Sequence, residues 1–462
     1  MLLVSIILYL VLTVMVGVWA SRRVKTSGDF MLAGRSLPLM ISSAALFATW
    51  FGSETVFGAS SRFIEGGLYN VIEDPFGAAL CLILFGMFFA RRLYQMNLMT
   101  LGDFFKVRYS RRVELVASVF LAPPYLGYIA AQLVAMGLVL SAVTGLEMWL
   151  AISLCAIIVT MYTYVGGMWA ISITDFFQSI IIILGLLVLA VVLVERAGGV
   201  SNIVNEMDPG SLKFLPDANA TEIVGYLAAW SVLGLGSIPS QDVFQRAMSS
   251  GSAKTAVWSC YIGAGLYLSV AMIPLFISLC IKHLYTGQLS GDTQMALPEM
   301  VMAHTAMPVQ ILFFGSLLSA ILSTASSAIL APAAIFSENL IKPLSGNRLN
   351  DRQLLLSTRI SVLVFSGSAT IMACLRSDIY ELVGESSILS LVSLFVPLTF
   401  GLYWSKASNT GALLSMVAGM CSWIIFEFYE TEWPSLVPAT LISLVAMIAG
   451  SLIWPATLRE RK

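Results

Sequence analysis

The sequence predicts an all-α protein that crosses a lipid bilayer many times, and two observations carry this prediction. The 462-residue chain is 58% hydrophobic and only 11% charged, with a mean hydropathy of +0.88, whereas soluble globular proteins contain roughly 25% charged residues. Apolar runs of about twenty residues recur along the chain, and a helix of that length crosses a bilayer core of roughly 30 Å. Barrel strands would be about half as long.

These runs predict about thirteen membrane-spanning helices and leave almost no sequence for a soluble domain. The first run lacks a small-residue cleavage site followed by a soluble chain, so we interpret it as a retained helix. The predicted spans are 1–20, 38–60, 68–90, 113–143, 148–165, 168–195, 222–248, 254–281, 303–330, 355–375, 379–402, 409–429 and 436–455.

The basic residues predict the orientation of the spans. With thirteen spans the loops divide into two sets, and twenty of the 25 Lys and Arg residues, Arg246 among them, fall in one set. Basic residues accumulate on the cytoplasmic side, which predicts an external N-terminus and a cytoplasmic C-terminus in the plasma (inner) membrane. The five on the external side are Arg62, Arg196, Lys213, Lys282 and Arg376.

Composition argues against metal clusters, nucleic-acid binding and enzyme chemistry. The six cysteines lie in apolar spans without CxxC spacing, and the chain has two histidines, so no zinc site is predicted. The net charge of −1 gives no reason to expect a nucleic-acid partner. The sequence shows no nucleophile–base pair and no phosphate-binding loop.

Two spans contain residues that interrupt a helix. The second has Gly52 and Ser53 near its middle, followed by Glu54, and the seventh has Gly236 and Pro239. Breaks at corresponding places in two halves are typical of inverted-repeat transporters with a site near the bilayer midplane, and these spans are five apart, as two five-helix repeats require. Ordinary kinks relieved by neighbouring helices are the alternative.

The ninth span contains AILSTASSAIL at 320–330, with four hydroxyls inside an apolar run. The spacing places Ala320, Ser323, Thr324 and Ser327 on one helical face, whereas Ser326 is displaced and is suited to an adjoining site. Hydroxyls also bond to their own helix or allow close packing, which accounts for one or two of them better than for four. Hydroxyl and carbonyl oxygens suit a weakly held monovalent cation, and we predict sodium.

Acidic residues inside spans need a partner or a ligand, because an isolated charge there is costly. Asp175 lies two turns into the sixth span, and Glu54 and Asp74 lie in spans two and three. We interpret Asp175 as a second cation ligand or a protonatable group; pairing with an arginine is the alternative. Asp74 precedes Pro75, where it can simply end a turn.

Four segments resemble one family of transporters. They are TYVGGMWAISITDFFQS (163–179), GSIPSQDVFQR (236–246), LTFGLYWSKASNTGA (398–412) and TLGDFFKVRYSRR (100–112). They are similar, in order, to motifs of the sodium/solute symporter family, with choline-transporting members somewhat closest. The resemblance implies the LeuT-type fold with one extra helix before a 5+5 core and two after it. This divides the chain into 1–37, 38–196, 197–402 and 403–462.

The resemblance also implies site residues. The sodium site shared by the family would use carbonyls of Ala48, Phe51 and Ala320 with the hydroxyls of Ser323 and Thr324. A second sodium site, present in sialic-acid members, would use Asp175, Ser326 and Ser327. The remaining candidates, for solute binding, are Trp50, Glu54, Asp74, Ser240 and Gln241.

The sequence indicates the identity of the solute less clearly than that of the ion. Trp50 matches one position of the aromatic cage of choline-transporting members, but Ser240 and Ala78 stand at two other cage positions. Glu54 resembles an acidic residue of sugar-transporting members. We expect a small polar or zwitterionic solute, such as an amino acid or amine.

The predicted function is sodium-coupled symport of that solute by alternating access, with one or two sodium ions, in a lipid bilayer. The alternatives are a proton-coupled transporter, a passive channel and a solute sensor of the same fold. Polarity concentrated at helix breaks argues against a channel, and the lack of a signalling domain argues against a sensor.

Overall fold

The structure is a computed structural model that describes residues 26–284, 292–346, 348–429 and 432–455. Of the predicted first span, it describes only Val4, Ser5, Leu8, Val11, Leu12, Met15, Val16 and Trp19, all of them helical. The rest of that span lies outside the described residues, and so do the basic residues at 22–25 and 459–462.

The described part of the chain is almost entirely helical, as predicted. Its membrane helices follow the predicted spans two to thirteen within a few residues, except at the start of span nine and the ends of several broken spans. Spans two to six comprise Leu39–Phe47, Glu54–Gly58, Ala59–Gly66, Ile72–Gly77, Ala78–Leu84, Phe85–Ala90, Arg91–Gln95, Arg111–Leu121, Pro124–Thr144 and Met148–Arg196. Spans seven to thirteen comprise Ala220–Gly236, Gln241–Met248, Ala253–Leu284, Met307–Ile335, Asp351–Leu375, Ile379–Ser390, Leu391–Phe395, Val396–Tyr403, Asn409–Phe428 and Leu436–Ile453.

Shorter helices connect the spans, and the last two of them continue the ninth span. They are Ser27–Leu32, Ala33–Arg35, Gly67–Val71, Leu101–Arg108, Val200–Asn205, Pro209–Leu212, Thr293–Met295, Ala296–His304, Phe336–Ile341 and Lys342–Leu344. The ninth span was predicted to begin at 303, but it begins at Met307. Thr305 and Ala306 are extended and separate it from the preceding helix, and a proline occupies its first turn, where a missing N–H costs nothing.

Nine helices in the described residues are long and apolar enough to cross a membrane. The pair Ala220–Gly236 and Gln241–Met248, bent by 49°, forms a tenth candidate, and Met148–Tyr164 is a shorter apolar helix. The fifth and sixth spans run as one continuous helix except at Gly167, where φ is 64° and ψ is −178°. Glycine adopts this conformation readily, so the chain can turn there before the sixth span.

Polar side chains cap the N-termini of several of these helices. The side chains of Asn219, Asn350, Asp378 and Ser408 accept hydrogen bonds from the first backbone amides of spans seven, ten, eleven and twelve. Such caps satisfy amides that have no partner inside the helix. The capped starts lie within about five residues of the predicted starts of these spans.

Both predicted helix breaks are present. In the second span Leu39–Phe47 ends before Glu54, and in the seventh the chain is non-helical between Gly236 and Gln241. A Cβ on Gly52 would lie 3.3 Å from Ile321 Cγ1, and one on Gly236 would lie 2.4 Å from the Ser387 carbonyl oxygen. The glycines therefore let the ninth and eleventh spans pack closely against the two breaks.

The ninth span is the centre of the molecule. Its helix continues to Leu344, and the most apolar stretch of that helix is completely buried. In the twelfth and thirteenth spans only a third of the most apolar stretch is buried. Its neighbours include the fourth, sixth and tenth spans. The hydroxyl cluster at 323–327 is therefore enclosed by protein rather than facing lipid.

Candidate functional site

Three of the five predicted ligands of the first sodium site, Ala48, Ala320 and Thr324, meet between the second and ninth spans. Thr324 Oγ1 lies 3.0 Å from the Ala48 carbonyl oxygen and 3.1 Å from that of Ala320. Thr324 is fully buried, so its hydroxyl is shielded from bulk solvent. Ala48 ends the helix Leu39–Phe47, and its carbonyl is accessible to a side chain because the helix stops there.

Phe51 lies in the same broken segment, three residues after Ala48. Its ring stacks on Phe47 at a centroid distance of 4.6 Å and meets the edge of Tyr267 at 6.0 Å. The side chain thus anchors the non-helical segment in the core. The backbone of the break is held in place at both ends, by Thr324 at Ala48 and by this aromatic packing at Phe51.

The second group of predicted ligands is centred on Asp175, in the sixth span. Ser323 Oγ donates a hydrogen bond to Asp175 Oδ1 at 2.5 Å. The other carboxylate oxygen lies 3.4 Å from Arg246 Nη2, and both side chains are buried. Arg246 was predicted to lie among the cytoplasmic residues, but it is buried inside the protein, where it supplies the countercharge that Asp175 needs.

Ser326 and Ser327 bond to their own helix. Ser326 Oγ donates to the Leu322 carbonyl at 2.6 Å, and Ser327 Oγ donates to that of Thr324 at 2.9 Å. Each hydroxyl keeps its lone pairs for another partner. Because Ser323 bonds to Asp175 and Thr324 bonds to Ala48, two adjacent residues of the ninth span join the two predicted ion sites.

A cavity lies beside the breaks, next to this network. It is lined by the second, fourth, seventh and eleventh spans, and its volume is about 30 Å³. The lining residues are Trp50, Pro124, Tyr125, Tyr128, Gly236, Ser237, Ser240, Asp242, Val383, Ser386, Ser387 and Ser390. The cavity therefore combines three aromatic rings, one carboxylate and several hydroxyls near the middle of the bundle.

The polar groups of the cavity are oriented by hydrogen bonds. Tyr125 donates its hydroxyl to Asp242 Oδ1 at 2.8 Å and accepts the Asp242 amide at 3.0 Å. Tyr128 donates to the Thr49 carbonyl in the first break, and Ser240 donates to that of Ser237 in the second. The fourth span thereby connects both broken segments through two tyrosines.

Two of the five predicted solute residues, Trp50 and Ser240, line this cavity. Gln241 does not: its Oε1 accepts the amide of Leu101, the first residue of the short helix Leu101–Arg108, at 2.7 Å. Glu54 and Asp74 do not line the cavity either. Asp74 Oδ1 accepts a hydrogen bond from Tyr267 OH at 2.5 Å, and the same hydroxyl lies 2.6 Å from Oγ1 of Thr55, the residue after Glu54.

Sequence reasoning missed Tyr125, Tyr128, Asp242 and Arg246 as parts of the site. A signal existed for two of them, since Asp242 and Arg246 lie in the segment GSIPSQDVFQR that marked the second break. The tyrosines follow Pro123 and Pro124, where the fourth span is interrupted. Polar or aromatic side chains beside helix interruptions were therefore the features to follow.

Solved transporter structures share this fold. A Na⁺-coupled sialic acid symporter, in a substrate-bound outward-open state, matches with a TM-score of 0.84 at 19% identity, over 99% of this chain and 98% of that one. The nucleobase-cation-symport-1 family transporter Mhp1, in a closed conformation, matches with a TM-score of 0.59 at 15% identity, over 94% and 96%. The likeness confirms the predicted LeuT-type fold.

Curated relatives are transporters as well. The high affinity choline transporter 1 of Homo sapiens is 28% identical over 90% of this chain and 75% of its own length. The osmoregulated proline transporter OpuE of Bacillus subtilis (strain 168) is 25% identical over 97% and 94%. The sodium/iodide cotransporter of Homo sapiens is 26% identical over 98% and 74%.

The family is shown by a match across most of the chain. The profile of the Sodium:solute symporter family covers residues 30–419, which include both breaks, the ninth span and Asp175. Together with the apolar helices, this makes the protein an integral membrane protein. The chain belongs to the sodium:solute symporter family and moves a small solute together with sodium.

Proposed function

We propose that sodium binds between the broken second span and the ninth span. The observation that carries this proposal is the position of Thr324 Oγ1, within hydrogen-bond distance of the carbonyls of both Ala48 and Ala320. Three oxygens from two helices thus converge on one place, and a cation there would replace the hydrogen bonds with ion–oxygen contacts. The proposed ligands are Ala48, Phe51, Ala320, Ser323 and Thr324.

We propose that this first site is the obligatory one and that a second ion depends on Arg246. The second site would use Asp175, Ser326 and Ser327. The Asp175 carboxylate is already paired with the buried guanidinium of Arg246, whose single positive charge balances its negative charge. A second sodium ion therefore binds only when Asp175 leaves Arg246, since two cations on the same carboxylate would repel each other.

The solute, we infer, binds in the cavity and carries a positively charged nitrogen. Aromatic faces attract cations, and Trp50, Tyr125 and Tyr128 line the cavity together with the carboxylate of Asp242. Choline and proline, named for two of the relatives, carry such a nitrogen, whereas iodide, named for a third, does not. The lining of the cavity, rather than the relatives, supports this choice.

Solute binding requires the helices around the cavity to separate. A volume of about 30 Å³ holds about one water molecule, and an organic solute is several times larger. The fourth, seventh and eleventh spans therefore move apart to admit the solute on one side of the membrane. This is the movement that alternating access requires.

The short helix Gln241–Met248 couples the ion to the solute. Asp242, in its first turn, lines the solute cavity, and Arg246, in its last turn, pairs with Asp175 beside the ion. A change at either end shifts the same eight-residue helix. Each ligand then favours one position of the helix, so binding of one alters the affinity for the other by the same factor.

The charge distribution supports an external N-terminus and a cytoplasmic C-terminus in the plasma membrane. Arg62 and Arg376, predicted to be external, lie in one group with Asp378 and Glu385. Twenty of the 25 basic residues were assigned to the opposite set of loops, and nineteen remain there once the buried Arg246 is left out. Labelling of single cysteines placed at these two faces in intact cells tests the orientation.

A thermal-shift screen of the purified full-length protein tests the proposed function. Amines, amino acids, sugars and carboxylates are compared in sodium and in potassium buffers of equal ionic strength. A ligand at a hundredfold excess over its Kd raises the stability by about 2.7 kcal/mol. We expect a cationic or zwitterionic nitrogen compound to stabilise the protein in sodium only, and to lose this effect in Asp242→Asn.

Two results would contradict the proposal. Stabilisation by a sugar or a carboxylate, with no response to nitrogen compounds, would exclude the proposed solute class. Equal stabilisation in sodium and potassium would exclude coupling through the Thr324 site. Asp217→Asn, an exposed aspartate outside the spans, is the matched control for the loss of one carboxylate.

A further inference from the structure

A second cavity lies where the third and eleventh spans end, separate from the solute cavity. It is bordered by Arg91–Gln95 at the end of the third span, by the short helix Leu101–Arg108 and by the end of Val396–Tyr403 in the eleventh span. Its volume is about 550 Å³, within the range of about 300–1,000 Å³ that is usual for small-molecule pockets. None of its described lining residues lines the solute cavity or belongs to the proposed sodium sites.

This cavity is positively charged, because Arg92 and Arg108 line it and no Asp or Glu is among its described lining residues. Arg92 is exposed and Arg108 is half-buried. In the described part of the chain, both side chains bond to backbone carbonyls and neither forms an ion pair. We call this place the arginine cavity. Its two like charges have no counterion there, so a bound anion would be stabilised.

Consecutive carbonyls of the eleventh span hold the two guanidiniums next to each other. Arg108 Nε donates to the Gly401 carbonyl oxygen at 2.7 Å, and Arg92 Nη1 donates to that of Leu402 at 3.0 Å. The Arg92 guanidinium also lies over the ring of Tyr403, at 4.0 Å from its centroid. Both side chains are therefore oriented before any ligand binds.

Capping of the helix end explains these contacts only in part. Arginine side chains commonly bond to the last carbonyls of a helix, whose combined partial charge is about half an elementary charge. That charge does not neutralise two guanidiniums. Each guanidinium has several N–H donors, and in the described part of the chain Nη2 of Arg92 and Nη1 of Arg108 have no hydrogen-bond partner. These groups are available to a further acceptor.

The outer surface of the protein beside the arginine cavity is apolar. Phe88 lies one turn before Arg92 on the same face of the third span and is 45% exposed, and Met87 beside it is 57% exposed. Tyr403 OH donates to the Phe88 carbonyl at 2.5 Å, which joins the aromatic lining of the cavity to this surface. Tyrosine and tryptophan are enriched at the depth of lipid headgroups. The arginine cavity therefore lies where headgroups meet acyl chains.

We propose that the arginine cavity binds the headgroup phosphate of an anionic phospholipid. Guanidinium groups bind phosphate oxygens through paired N–H donors, and basic pockets between membrane helices are typical sites for anionic headgroups. Arg92 and Arg108 donate to the phosphate, and the acyl chains follow the exposed side chains of Met87 and Phe88. A phospholipid suits both the charge of the cavity and the apolar surface beside it, whereas inorganic phosphate suits only the charge.

The bound lipid joins elements that are far apart in the chain. Arg92 belongs to the third span and Arg108 to the helix Leu101–Arg108, and both are held at the end of the eleventh span. Leu101, at the other end of the short helix, donates its amide to Gln241 of the seventh span. Lipid binding therefore stabilises the packing of these helix ends against one another, and it requires neither sodium nor the solute.

The test is a lipid titration of the melting temperature of the purified full-length protein in a neutral detergent, without solute and at constant ionic strength. Phosphatidylglycerol, phosphatidylcholine with the same acyl chains and inorganic phosphate are compared, and we expect only phosphatidylglycerol to stabilise the protein. Arg92→Gln and Arg108→Gln should each raise the half-saturating concentration about 10- to 100-fold, because each removes charged hydrogen bonds. Arg112→Gln is the matched control: Arg112 is exposed, begins the next helix and does not line the cavity, so this variant keeps the wild-type response.

Three outcomes overturn the proposal. Equal stabilisation by phosphatidylcholine would mean that the acyl chains alone are bound, and equal stabilisation by inorganic phosphate would make the ligand a soluble anion. An unchanged half-saturation in the arginine variants would place the lipid elsewhere. Should Arg108→Gln not fold, Arg92→Gln decides alone, since Arg92 is exposed and bonds to one carbonyl. Native mass spectrometry gives a second readout, in which the wild type must retain more phosphatidylglycerol than Arg92→Gln.

Discussion

Replacing Thr324 with valine tests the proposed sodium site most directly. Valine keeps the shape of threonine but has no hydroxyl, so the contacts with the Ala48 and Ala320 carbonyls, at 3.0 and 3.1 Å, disappear. The site loses one of its two proposed side-chain ligands, and the protein loses a bond between the second and ninth spans. Sodium affinity and stability are therefore both expected to fall, by separable amounts.

The magnitudes follow from the contacts. A neutral hydrogen bond contributes about 1 kcal/mol to stability, and one to a charged group about 1.5–3 kcal/mol. Taking the hydroxyl–sodium contact as comparable with the latter, Thr324→Val should weaken sodium binding about 10- to 100-fold. Stability without sodium should fall by about 1 kcal/mol, because only the neutral hydrogen bonds are lost there.

The assay is a sodium titration of the melting temperature, with potassium keeping the ionic strength constant, and it needs no knowledge of the solute. Thr358→Val is the matched control: Thr358 is buried in the tenth span and donates only to Leu354 of its own helix, at 3.0 Å. An unchanged sodium half-saturation in Thr324→Val would refute the assignment. An equal loss in both variants would show that the effect is not specific to the site.

Two further predictions concern charged residues. Asp175→Asn leaves the buried guanidinium of Arg246 without its countercharge and should lower the free energy of unfolding by about 3–5 kcal/mol. Adding Arg246→Gln to this variant should recover part of the loss. If denaturation experiments show that the losses of the two single variants simply add, Asp175 and Arg246 are not coupled. Arg62→Gln removes partly exposed ion pairs with Asp378 and Glu381 and should lower the free energy of unfolding by about 1 kcal/mol or less. A much lower melting temperature would mean that these pairs join the second and eleventh spans more strongly than expected.

The sequence by itself determined the class of protein, the positions of the spans and the two helix breaks. Each of these depends on residues that are near each other in the chain: apolar runs long enough for a bilayer, glycine and proline inside a span, and hydroxyls repeating along one helical face. The cluster at 323–327 was found in this way, and the structure brings Thr324 to Ala48. Asp175 was singled out because a buried charge needs a partner.

Only the tertiary structure decided which helix faces which. Arg246 was counted with the cytoplasmic residues, yet it pairs with Asp175 inside the protein; Gln241 turns towards Leu101, and Glu54 lies away from the cavity. Spacing along a helix establishes which side chains share a face, but not which other helix covers that face. The partner depends on how the spans pack together with the ninth at their centre, and residues far apart in the chain determine that packing.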